Sequence, residues 1–153
     1  MTAEGDPLKT TARLCLVGVL GLALLACGGD GTEGISLALE FGPSDLPAET
    51  TFIRVYVLPG ALSDNTKILC EDFVGPDATK SIYDYTLNVL RTSTSDFNPL
   101  TGATIMLEGL PIGLLVFYVE ALDQGSNVLA YGCGMGQVNK GEKTYIPIRM
   151  VNN

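Results

Sequence analysis

The 153-residue sequence contains no histidine and no tryptophan. Histidine is the commonest general base and a leading metal ligand. Its absence excludes Ser–His and Cys–His nucleophile pairs and every His-based zinc site. Charge is scarce as well. Charged residues make up 17% of the chain, with nine Lys and Arg against 17 Asp and Glu, for a net charge of −8. Nucleic-acid binding needs a basic patch, so nucleic acid is not an expected partner. Hydrophobic residues nevertheless reach 46%, a balance that supports a packed core and argues against disorder. The length suits one domain.

What is present begins with an address. Lys9 and Arg13 precede an apolar run from Leu14 to Ala26, 13 residues long. A membrane-crossing helix needs about 20, so the run fits the hydrophobic region of a secretory signal. It ends in Leu24-Leu25-Ala26-Cys27. This ending resembles the lipobox of bacterial lipoproteins, with Leu at −3, a small residue at −1 and Cys at +1. The resemblance implies cleavage before Cys27, with acylation of its sulfur and of its new amino group. One acyl chain anchors only marginally, and several make the attachment effectively permanent. Gly28 at +2, where Asp would favour inner-membrane retention, implies an outer-membrane destination in a two-membrane cell. Residues 28–34, Gly-Gly-Asp-Gly-Thr-Glu-Gly, form a flexible polar tether. The expected organisation is therefore a signal peptide over 1–26, a lipidated Cys27 with tether over 27–34, and a folded domain over 35–153.

Of the four cysteines, Cys15 leaves with the signal and Cys27 takes lipid. Cys70 and Cys133 remain. Outside the cytoplasm such a pair is expected to form a disulfide. Two isolated cysteines without His or a C-x-x-C spacing make a poor metal site.

The domain's apolar pattern has the period of strands. Ile35, Leu37, Leu39 and Phe41 alternate with polar or small residues. So do Ile53, Val55 and Val57 within Thr51–Leu58, with Arg54 and Tyr56 on the opposite face. Further strands are expected at Ile68–Cys70, Ala103–Glu108, Leu114–Leu122, Val128–Cys133 and Lys143–Val151. Residues 77–92 fit either a strand or a helix, and their Thr, Tyr and Val content favours a strand. Turn signals separate these runs, among them Gly42-Pro43, Gly75-Pro76-Asp77 and Asp123-Gln124-Gly125-Ser126-Asn127. Seven or eight short strands without a long helix predict an all-β, antiparallel sandwich. The stretch Gly109-Leu110-Pro111-Ile112-Gly113, then the strand to Asp123, then Gly125, is similar to the closing hairpin of prealbumin-like and carboxypeptidase-regulatory-like domains. That similarity implies an immunoglobulin-like fold of a usually non-catalytic kind.

Candidate sites are few. Glu71, Asp72 and Asp77 can be read as a calcium loop or as a solvated acidic loop, and the spacing favours the latter. Glu120 interrupts the strongest strand, on the face of Leu114, Val116 and Tyr118. It reads as an outward side chain on a half-solvated sheet, or as the buried glutamate of an isopeptide-forming domain. Tyr83, Tyr85, Tyr118, Tyr131 and Tyr145 are candidates for an aromatic contact strip. Gly132-Cys133-Gly134-Met135-Gly136 lacks the Lys-Ser/Thr of a phosphate loop and reads as a strand end that crosses closely over another strand. Residues 91–102 read as a polar loop suited to recognition. No catalytic residue, metal ligand or cofactor is assigned. The expected function is a membrane-anchored envelope lipoprotein acting as a non-catalytic binding or structural accessory module. Its expected partner is an envelope protein or polysaccharide. A small carboxylate-dependent hydrolase and a purely structural spacer are the alternatives.

Overall fold

The computed structural model describes residues 35–140 and 144–153. The signal, Cys27 and the tether therefore lie outside the described residues. Seven strands are described: β1 (Ile35–Phe41), β2 (Phe52–Pro59), β3 (Arg91–Asp96), β4 (Ala103–Leu110), β5 (Gly113–Leu122), β6 (Val128–Val138) and β7 (Arg149–Asn152). They form an antiparallel sheet of five in the order β3-β2-β5-β6-β7 and a sheet of two, β1-β4. The fold is an all-β sandwich, as the alternation predicts.

The first core lies between the sheets. Ile53, Val55 and Val57 of β2 and Leu115, Phe117, Val119 and Ala121 of β5 face Leu39, Phe41, Ile105 and Leu107 of the small sheet. These are the residues that period-two alternation puts on one face. The Asp123–Asn127 turn is the expected hairpin. Asp123 Oδ1 accepts from the Asn127 amide at 2.8 Å, and the Ser126 amide donates to Asp123 O at 3.0 Å. Ser126, rather than Gly125, takes the left-handed position, with φ 65°.

A second core lies on the opposite face of the five-stranded sheet. There Leu58, Val116 and Tyr118 are covered by Ile68, Phe73, Ile82 and Tyr85. The cover is the excursion between β2 and β3, which acts as a flap. Four expectations are corrected in and around it. Ile68–Cys70 is not a strand. Only Lys67 makes an isolated bridge, to Ala61, and a short 3₁₀ helix begins at Cys70. There the Asp72 carboxylate accepts from the Leu69 amide and turns the chain. Residues 77–92 do not hold a strand at their centre, because Ile82–Asn88 is a 3₁₀ helix. Ser81 Oγ accepts from the Tyr83 amide and Asp84 Oδ2 from the Ser81 amide, a reciprocal cap that fixes the helix start. Residues 91–102 are not all loop, because Arg91–Asp96 is edge strand β3 on β2. At the C-terminus, residues 144–148 are not strand, and β7 starts only at Arg149.

That last segment passes over β6 at the glycines. A Cβ at Gly134 would stand 2.7 Å from Pro147 O, and one at Gly136 would stand 2.7 Å from Ile146 Cγ1. Only residues without a side chain admit so close an approach. The close approach is as expected, but the run is not a strand end, because β6 continues through it to Val138, and the segment that crosses it is not a strand.

Candidate functional site

Strand register builds a row across the outer face of the large sheet: Thr94 of β3, Arg54 of β2, Glu120 of β5, Tyr131 of β6 and Val151 of β7. The next row holds Thr92, Tyr56, Tyr118, Cys133 and Arg149. The flap arches over part of this face and is tied down at Cys70–Cys133, whose Cα atoms are 5.4 Å apart in disulfide pairing. The pairing expected from cysteine arithmetic is therefore present.

Four of the five singled-out tyrosines gather here. Tyr118 meets Phe73 with ring centres 5.6 Å apart and Tyr131 at 6.4 Å, and Phe73 meets Tyr85 edge-on at 5.5 Å. Tyr83 joins them from the flap. Tyr145 does not. It stands 88% exposed beside the small sheet. Sequence reasoning missed Tyr56, whose ring lies 6.2 Å from Tyr118. Its place opposite Val55 and Val57 was the available signal. It also missed Phe73, which nothing local marks.

Glu120 is 2% exposed, so the outward, half-solvated reading is corrected. Alternation gives its face correctly, but the flap closes that face. Its Oε2 lies 3.6 Å from Arg54 Nη1. Tyr56 Oη donates to Oε2 at 3.5 Å and Tyr83 Oη to Oε1 at 3.4 Å. These contacts are long for hydrogen bonds. Burial pushes the Glu120 carboxyl above its ordinary range, while Arg54 and the two phenols pull the other way. Burial and then the Glu120 charge raise Tyr83 and Tyr118. The partners are an arginine and two tyrosines. The lysine–asparagine pair that isopeptide formation joins is not among them.

The cluster's chemical effect is to hold groups in place. One buried carboxylate braces Arg54, which is 30% exposed, and Tyr83, which is 58% exposed, at the surface. Beside Tyr131 lies a hollow of about 650 Å³ between Val74–Pro76 of the flap and Arg149–Val151. The acidic residues of the flap stay apart from this. Asp72 pairs with Lys80 at 3.1 Å, Glu71 and Asp77 face solvent, and the described residues hold no cluster of three or more His, Cys, Asp or Glu suited to a metal. Among the described residues no helix is long and apolar enough to cross a membrane.

Fold and site together define a disulfide-tied, flap-covered all-β sandwich with a tyrosine-rich outer face. Comparison with known protein families, curated proteins and solved structures finds no match for the chain.

Proposed function

We propose that this chain is an exported lipoprotein of the cell envelope, held to the outer membrane by lipid on Cys27. Its immunoglobulin-like, prealbumin-like sandwich serves as a non-catalytic contact module for an envelope protein or polysaccharide. The observation that carries the reading is the Cys70–Cys133 pairing. Disulfides form and persist in oxidising compartments, in keeping with a secretory leader. In this reading the pairing accounts for both cysteines of the folded domain and leaves Cys27 for lipid. The contact face in this reading is Arg54 and Tyr83, braced by Glu120, together with Tyr131, which stacks on Tyr118 and lines the hollow. Tyrosine and arginine are the side chains that interfaces favour, and loops held on a rigid sheet commonly carry binding. The prealbumin-like reading draws on Gly109 and Gly113, both at positive φ around Pro111, and on the hairpin that follows.

The test is Cys27→Ser in the full chain, expressed in a two-membrane bacterium and fractionated. The wild type is expected in the outer-membrane fraction. The variant is expected to stay uncleaved in the inner membrane or to be released. Identical outer-membrane recovery of both would overturn the lipid anchor. Substituting Tyr83 and Tyr131 together by Ala should then weaken retention on purified envelope material, with circular dichroism showing that the variant still folds.

A further inference from the structure

Among the described residues, strand β1 pairs with β4 on one side and with no strand on the other. Facing its other side is the chain from Thr144 to Met150, and between them runs a groove of about 770 Å³. Both walls carry unpaired main chain. Among the described residues, Tyr145 to Ile148 belong to no strand and make no main-chain hydrogen bond to another main-chain group; Pro147 has no amide hydrogen and offers its carbonyl alone. Leu39, Phe41, Ile146, Ile148 and Met150 give the groove apolar side chains, and Glu40 and Asp45 stand among its lining residues. Unpaired amides and carbonyls in partly apolar surroundings are costly, and an open strand edge is a template for another strand.

We propose that this groove accepts an extended segment of a partner protein, which pairs with β1 on one side and with residues 145–148 on the other. Such strand addition draws affinity from main-chain hydrogen bonds and specificity from alternate side chains. The geometry defines the occupant. It has both edges free, because it must pair on both sides. That requirement excludes β1 of a second copy, whose other edge is already taken by its own β4. The occupant carries apolar residues at alternate positions, to meet the Leu39 and Ile146 side. It carries lysine or arginine between them, because Glu40, Asp45 and the net charge of −8 favour a basic segment. Arg149 is the groove's basic residue. It lies at the start of β7, beyond the unpaired stretch.

The experiment uses the full lipidated protein in nanodiscs and a fluorescent peptide, Lys-Val-Thr-Val-Lys-Val-Thr-Val. A second peptide of the same sequence has its alternate amides N-methylated. The expected result is saturable binding of the first peptide, weakened at least about tenfold by N-methylation. Hydrogen exchange should slow at residues 35–41 and 144–150, and not at edge strand β3. Three results would overturn the proposal. One is no binding at millimolar peptide. Another is equal binding of both peptides, which marks side-chain docking without strand pairing. The third is exchange protection of β1 in peptide-free samples that grows with protein concentration, which marks a second copy as occupant.

Discussion

Arg54 and Glu120 are register partners on β2 and β5, with Nη1 3.6 Å from Oε2. Beneath the flap the carboxylate is almost fully enclosed, while the guanidinium stays partly in water. The pair is therefore asymmetric, and its pH behaviour follows from the buried member. Burial outweighs Arg54 and the phenols, so the folded-state pKa of Glu120 lies above its ordinary value of 4.5. The folded state thus binds this proton more tightly than the unfolded chain does. The contribution favours folding below about pH 4.5 and is lost as pH rises through the folded-state value. Urea unfolding of wild type and Glu120→Gln at pH 4 and pH 7 checks this. Wild type should compare best with the variant at pH 4 and lose ground by pH 7. Arg54→Ala should cost about 2 kcal/mol at pH 7 and less at pH 4. That is below the roughly 3–5 kcal/mol of a fully buried pair.

Tyr83 supplies a hydrogen bond to the charged form of Glu120. Tyr83→Phe removes it and should move the Glu120 titration to higher pH. Carbon NMR of labelled glutamate side chains reads that shift directly. An unmoved titration would show that the phenol does not act on the carboxylate in solution.

The Cys70–Cys133 link closes a loop between residues 63 positions apart. In the chain-entropy account, losing it costs about 4 kcal/mol. The Cys70→Ala, Cys133→Ala double variant should show that loss in chemical denaturation, and reductant should give the wild type the same midpoint as the variant. Because the link ties the flap to β6, proteolysis of the reduced protein should begin within residues 60–90.

Gly134 faces the crossing segment, where a Cβ would meet Pro147 O at 2.7 Å. The neighbour is main chain and cannot swing aside. Gly134→Val should destabilise by about 2 kcal/mol through overpacking, with faster exchange of amides in 144–150. Gln137→Ala, at an exposed position three residues along β6, should change stability by less than about 0.5 kcal/mol.

These sites differ in how far the sequence alone discloses them. β1 and β4 are legible because one face of each meets a core and alternation records that, and β2 and β5 because their apolar residues facing the small sheet recur at every second position. β3 is hidden, because Arg91-Thr92-Ser93-Thr94-Ser95-Asp96 lies at an edge and carries no apolar side chain to mark a face. The 3₁₀ helix at Ile82–Asn88 is masked by Tyr and Thr residues that suit strands. Its cap, Ser81 with Asp84, is the local signal that outranks them. The burial of Glu120 is legible only as one of two readings, and its partners are not legible at all. Its own strand gives only the face, and the groups that enclose it come from β2 and from a flap tens of residues earlier. The disulfide is legible by counting, whereas its role in closing the flap over the tyrosines requires the three-dimensional register.

The proposed envelope module is lipid-anchored at Cys27 and tied by the Cys70–Cys133 disulfide. Intact mass of protein recovered from its native membrane, with and without reductant and alkylation, tests it most directly. The predicted mass is that of residues 27–153 plus acyl chains, with Cys70 and Cys133 alkylated only after reduction. A full-length mass without lipid, with both thiols freely alkylated, would contradict the anchor and the compartment and leave only the sandwich fold.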